Sequence, residues 1–232
     1  MEISIKHSAH INELIEKWSA INNIRYYKNI KRDHRKWNKG GITTYDIQCV
    51  ILGKTGYGKS TLINKIIGKN VFETSAVNST TLQMQCADWL LDSINNYYFS
   101  IADLPGIGQN SKVDEVYLQW YKEILEKSDC VIYLLRADTR EYAIDEKAIS
   151  DLKIDKNKLI LGLNFCDKIE PINRNININL TEKQQQNLNK KVEVISNIFK
   201  VSKSNILTIS ADTMLNVNKL VNKIVEVVTS AN

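Results

Sequence analysis

The chain has 232 residues, 43% of them apolar and 25% charged, and a formal net charge of +5. That mixture suits one α/β domain of ordinary size with a small appendage, and it excludes a low-complexity or disordered chain. The longest clean apolar runs, such as Cys130–Leu135, are short of the ~20 residues needed to span a bilayer. MEISIKHSAH carries no leader pattern, so a cytoplasmic protein is expected.

The first forty-odd residues read as helix. Ile11, Leu14, Ile15, Trp18 and Ile21 recur at three- and four-residue spacing, which places them on one face. The helix then turns basic. Between Arg25 and Lys39 stand seven cations (Arg25, Lys28, Lys31, Arg32, Arg35, Lys36, Lys39) against Asp33, so this segment is +6 and the rest of the chain is 5 − 6 = −1. Gly40-Gly41 is the expected helix stop. Residues 1–44 are read as a basic amphipathic helical extension and 45–232 as the main domain.

From Tyr45 the rhythm changes to strands alternating with helices. DIQCVILG is a buried strand running into a glycine-rich loop, and Thr61–Ile67 starts a helix. LQMQCADWL and NYYFSIADLPG read as a two-stranded hairpin. Then come a helix (Val113–Lys127), a strand (Cys130–Leu135), a helix (Tyr142–Leu152) and a strand (Lys158–Phe165). A helix (Thr181–Lys200), a strand (Asn205–Ser210) and a helix (Val217–Val228) complete the series, after an Asn-rich loop at 173–179. This alternation predicts a three-layer α/β/α fold around a mostly parallel sheet of about six strands. Cys49, Cys86, Cys130 and Cys166 are widely separated and form no Cys-x-x-Cys pair, so buried free thiols are expected. His7, His10 and His34 lie in the arm without metal-ligand spacing.

Each motif falls just after a predicted strand, where such sheets bind ligands. Gly53-Lys54-Thr55-Gly56-Tyr57-Gly58-Lys59-Ser60, followed by Thr61, fits G-x-x-x-x-G-K-[ST]. Its glycines allow backbone N–H groups to turn inward as an anion nest, and the following helix adds its positive end. Lys59 would reach the β- and γ-phosphates, and Ser60 would bind Mg²⁺. Asp103-Leu104-Pro105-Gly106 supplies a strand-end carboxylate able to hold Mg²⁺ through water, and the Gly106 amide is placed to sense the γ-phosphate. In VNSTTLQM, Thr80 or Thr81 stands 20 or 21 residues past Ser60; Thr81 is preferred as the residue that completes the Mg²⁺ shell. In Asn164-Phe165-Cys166-Asp167, the Asp167 carboxylate can accept the N1 and N2 protons of guanine, whereas adenine would leave it unpaired. A site built on such bonds rejects the wrong base by on the order of 10⁴–10⁵. Ser210-Ala211 follows the last strand, where its backbone would meet guanine O6.

GKTGYGKST, STT, DLPG, NFCD and SAD occur in the order and spacing of the P-loop GTPases, and the chain most resembles the Era-like, HSR1-related small GTPases over residues 45–230. The resemblance implies a domain that binds GTP and GDP with Mg²⁺, carries two nucleotide-sensing switches and hydrolyses GTP. On this reading Lys59, Thr81 and Gly106 are catalytic, Ser60, Thr81 and Asp103 hold the metal, and Asn164, Phe165, Asp167, Ser210 and Ala211 meet the base.

Three departures stand out. The base-reading motif of these GTPases has lysine where this chain has Phe165, so an aliphatic and cationic neighbour of the base is missing there. Relatives that use K⁺ have asparagine at the position of Gly56, which argues against that route. Ras-type enzymes place a water-orienting glutamine immediately after the motif glycine; here Ile107 stands there, with Gln109 two residues on. Hydrolysis is therefore expected to be slow alone and to need a second copy or an activating partner. A supplied arginine is worth ~10³–10⁵ in rate, and Arg136 and Arg140 are the candidates to supply it. In the basic arm, Tyr26, Tyr27 and Trp37 lie among the cations of 25–39. The favoured reading is an amphipathic helix packed on the domain; RNA, an anionic membrane surface and self-association are the others. A scaffold that binds nucleotide with negligible turnover also fits the sequence.

Overall fold

The computed structural model describes residues 37–39, 42–67, 70, 72, 85–92, 97–107, 121–122, 124–172 and 180–230. Strands β1 (Trp37–Lys39) and β2 (Ile42–Gly53) are followed by helix α1 (Lys59–Ile67), then strands β3 (Gln85–Asp92) and β4 (Tyr97–Asp103). Strand β5 (Cys130–Arg136), helix α2 (Ala143–Leu152) and strand β6 (Leu159–Asn164) come next. Helix α3 (Glu182–Phe199), strand β7 (Ile206–Thr208) and helix α4 (Val217–Ser230) close the series. The main sheet runs β3-β4-β2-β5-β6-β7. Five of its strands are parallel, and β3 pairs antiparallel with β4 in the expected hairpin.

The chain leaves β2 to build β3 and β4 on one side, then crosses to β5 on the other. The carboxyl end of β2 is therefore the switch point of the sheet, where such folds open a crevice. Side chains alternate between the two faces. Cys130, Ile132 and Leu134 of β5 pack with Leu62, Ile63 and Ile66 of α1 and with Leu220, Val221 and Ile224 of α4. Val131, Tyr133 and Leu135 pack with Ala148 and Leu152 of α2 and with Leu188 and Ile195 of α3. Strands covered on both faces read as unbroken apolar runs, which is why CVIYLL shows no alternation in sequence. Helix α4 buries Val217, Leu220, Val221, Ile224, Val225 and Val228, the spacing of one helical face. Cys49, Cys130 and Cys166 are buried free thiols, and burial pushes the Cys166 thiol up to about 12.

The structure corrects the sequence reading at the end of the arm. Trp37–Lys39 is strand, not helix, and pairs antiparallel with Ile42–Thr44. A Gly-Gly pair between residues of high strand propensity is a hairpin signal, and Ile42-Thr43-Thr44 carries it. The strand into the loop thus begins at Ile42, four residues before Asp46. The last strand is shorter than expected, because Lys203–Asn205 forms a 3₁₀ turn ahead of Ile206–Thr208. The predicted helix over 113–127 is described only at residues 121–122 and 124–127, which are helical. Residues 1–36, Thr80, Thr81 and Gln109 lie outside the described residues.

Candidate nucleotide site

The loop between β2 and α1 sits at the switch point. Gly53, Gly56 and Gly58 take positive φ of 143°, 79° and 84°. Gly58 is constrained twice: an added Cβ would also lie 2.5 Å from Asn164 Nδ2. Lys59 is buried; its Nζ donates back to the carbonyls of Gly53 at 3.3 Å and Lys54 at 3.4 Å, closing the loop around its own ammonium. Burial holds the Lys59 ammonium below its ordinary range, opposed by the nearby Asp103 charge.

Asp103 ends β4 and is 0% exposed. Its Oδ2 accepts the Ser60 hydroxyl, while its Oδ1 is buried without a hydrogen-bond partner. Burial raises the Asp103 carboxyl, with Lys59 and Ser60 opposing. An orphaned carboxylate oxygen beside a serine hydroxyl fits the donor set of a hard divalent cation. Gly106 packs against the phosphate loop so closely that a Cβ would lie 2.7 Å from Thr55 N. Ile107 N–H donates to the Gly53 carbonyl at 3.3 Å, and the Ile107 side chain is buried. The chain position expected to orient water is therefore spent on joining the two loops.

The other half of the site forms at the ends of β5, β6 and β7. Asn164 is 0% exposed. Its Nδ2 donates to the Tyr57 carbonyl at 3.0 Å and its Oδ1 accepts Ala211 N–H at 3.0 Å. It straps the phosphate loop to the loop after β7. Phe165 takes the left-handed conformation, φ 60°, an uncommon one for a bulky residue, and starts the 3₁₀ turn Cys166–Lys168. Its ring lies 4.3 Å from the Arg136 guanidinium and 4.7 Å from Lys168 Nζ. The cation expected to be missing at this position is thus brought from β5.

Arg136 also pairs bidentately with Asp138, at 2.8 and 2.6 Å, and these bonds raise the guanidinium and lower the carboxyl from their ordinary values. Asp167 Oδ1 is buried and unpartnered. Its backbone carbonyl and that of Ile169 accept from Gln184 Nε2 at 3.3 and 3.1 Å, and Gln184 also forms a capping box with Thr181 at the start of α3. Ser210 is buried and its Oγ accepts Thr213 N–H at 3.2 Å.

The structure therefore brings Gly53–Thr61, Asp103 and Gly106 to one end of the crevice and Asn164, Phe165, Ser210 and Ala211 together beyond it, with Asp167 in the turn that follows Phe165. The sequence reading missed Gln184, although Thr-x-x-Gln is a legible capping pattern. It also missed the bonds from Tyr57 and Tyr133 to Asp145, for which no sequence pattern exists.

Residues 48–165 match the family described as 50S ribosome-binding GTPases. The chain belongs to this GTPase family. Among curated relatives, the uncharacterized protein YfjP of Escherichia coli K12 is 31% identical over 163 residues, which cover 68% of this chain and 54% of YfjP. The chain spans about half the length of the curated relatives it matches. Among solved structures, Era of Aquifex aeolicus, bound to GDP and aluminium fluoride, is 25% identical with a TM-score of 0.62, over 78% of this chain and 56% of Era. Toc33 of Arabidopsis thaliana shares the fold at 19% identity, TM-score 0.64, over 97% of this chain and 94% of Toc33. Toc33 has been solved with GDP and Mg²⁺, and dimerisation is described as important for its GTPase activity. Among the described residues no helix is long and apolar enough to cross a membrane.

Proposed function

We propose that this chain binds GTP and hydrolyses it to GDP and phosphate, and that it works in the cytoplasm as a nucleotide-dependent switch, slow alone and accelerated by a second copy. The observation that carries this reading is a pair of buried, unpartnered carboxylate oxygens in the two halves of the site, Asp103 Oδ1 and Asp167 Oδ1. A buried carboxylate oxygen without a partner is costly to a protein, and a ligand bound at each of these two positions would supply the missing partner. Asp103, with Ser60 and Thr81, would hold Mg²⁺, which when bound neutralises charge on the phosphate oxygens. Asp167 would accept the N1 and N2 protons of guanine.

Lys59 keeps its ammonium beside the loop carbonyls and would stabilise charge building on the β–γ bridge and the γ-phosphate. Gly106, in contact with Thr55, would carry the presence of the γ-phosphate into the chain beyond Ile107. Asn164 serves the base half by position, holding Tyr57 and Ala211 in register. Phe165 with Arg136 would form the wall beside the base or ribose.

Ile107 offers no side-chain group to orient water, which supports slow turnover. Arg136 is engaged by Asp138 and Phe165. Arg140 is exposed in the loop beyond β5 and makes no ion pair among the described residues, which makes it, of these two arginines, the one available to a second copy. Hydrolysis of GTP measured over a range of protein concentrations tests this: the rate per subunit should rise with concentration, and Arg140→Ala should remove the rise. A fast rate independent of concentration would overturn the dimer reading.

Ile107 also favours a second reading, a scaffold stabilised by bound GTP or GDP with negligible turnover; failure of any protein concentration to produce phosphate would select it. The basic residues 25–36 are read as packing on the domain, whose sheet already includes Trp37–Lys39, with RNA or membrane contact as rivals. Removal of residues 1–36, which spares the strand Trp37–Lys39, should leave nucleic-acid binding unchanged, and its loss would favour RNA.

A further inference from the structure

Tyr57 occupies one of the unspecified positions of the phosphate loop, yet it is 6% exposed while its neighbours Thr55 and Gly56 are exposed. Every polar group it has is engaged. Its N–H donates to the Lys54 carbonyl at 3.2 Å, its carbonyl accepts from Asn164, and its hydroxyl donates to Asp145 Oδ2 at 3.2 Å. Its ring packs with the apolar layer under α1 and α4. Asp145 belongs to the first turn of α2 in the opposite layer, is 0% exposed, and accepts a second hydroxyl, from Tyr133 of β5, on Oδ1 at 3.0 Å. Lys54 lies 5.4 Å from the centre of the Tyr57 ring, and its charge reaches Asp145.

We propose that Tyr57 is a positioning residue of the phosphate loop, and that the buried Asp145 carboxylate holds the loop in its nucleotide-binding shape by fixing the Tyr57 hydroxyl. The inference rests on the nucleotide reading above. Gly56 and Gly58 on either side have positive φ and no side chains, so the loop tip has little of its own to stay in place. Beside the Asn164 bond to the Tyr57 carbonyl, one hydrogen bond to a fully buried carboxyl group, anchored in a helix and shared with a core strand, adds that constraint. Pre-organisation of this kind acts on ligand release, because a loop that relaxes lets go of its phosphates.

The geometry provides a matched control. Tyr57 and Tyr133 donate the same kind of bond to the two oxygens of the same carboxylate, but only Tyr57 is part of the loop. Tyr57→Phe and Tyr133→Phe each leave one oxygen of Asp145 unpaired, so both should lower the melting temperature of the nucleotide-free protein by similar amounts. Dissociation of a fluorescent GDP analogue in Mg²⁺ should be about ten-fold faster or more in Tyr57→Phe and within about two-fold of the parent in Tyr133→Phe. Hydrogen exchange in the nucleotide-free protein should show amides 54–60 opening in Tyr57→Phe and staying protected in Tyr133→Phe. Equal acceleration by both variants, or by neither, would overturn the proposal. If the parent protein bound no GDP, the nucleotide reading would fall, and the exchange measurement would still decide whether the Tyr57–Asp145 bond orders the loop: equal protection in both variants would refute it.

Discussion

The two halves of the proposed nucleotide site are built in different ways. The phosphate half is made by a stretch of chain that closes on itself, with Lys59 bonding to Gly53 and Lys54 and with Asp103 and Gly106 brought from elsewhere. The base half is made by side chains from two strands and a helix: Asn164 to Tyr57 and Ala211, Arg136 to Phe165, Gln184 to the Asp167 carbonyl. A contiguous loop can be recognised from residue types in order, because its geometry follows from the local backbone. A site assembled across the sheet is specified by contacts that leave no local pattern. The two halves should also fail differently, the first in chemistry and the second in selectivity and stability.

The largest expected effect falls on the base half. Asp167→Asn replaces an acceptor with an amide that can donate, which suits xanthine, whose C2 carries an oxygen. The ratio of GTP to XTP affinity should fall by on the order of 10⁴, and competition binding with the two nucleotides checks it. Lys59→Ala should cost about 10²–10³ in the rate of GTP hydrolysis without changing base preference, as phosphate release with GTP and XTP would show. An altered base preference in that variant would erase the distinction between the halves.

Asn164→Ala removes the strap between them. Two bonds are lost and the Tyr57 carbonyl and Ala211 N–H are left buried, at about 2–4 kcal/mol, so thermal unfolding should shift down by about 5–15 °C. The smallest effect is expected for Arg136→Gln, where a cation over an aromatic ring is worth about 0.5–2 kcal/mol. Guanine nucleotide affinity should drop by about two- to thirty-fold, with Arg136→Lys restoring part of it.

The legibility of the sequence followed the same division. Among the described residues, strands and helices from Asp46 onward, the loop Gly53–Ser60 and Asp103 at a strand end were readable because apolar runs and glycine spacing are local signals. Phe165 was read as a loss of charge, since nothing in the sequence shows that Arg136 on the neighbouring strand lies over its ring. The Tyr57–Asp145 bond spans 88 residues and the Asn164–Tyr57 bond 107, and no periodicity links such pairs. Trp37–Lys39 was misread because the helical rhythm of 11–21 was carried through a run of lysine and arginine. The β-branched residues after Gly41 were the better guide.

We propose that one site holds phosphates at Lys59 and a guanine at Asp167. Calorimetric titration of the Mg²⁺-containing protein with GDP and with ADP tests it most directly. GDP should bind at one site per chain and ADP should bind at least about a thousand-fold more weakly, with Asp167→Asn removing the difference. Equal affinity for the two nucleotides would rule out guanine recognition by Asp167.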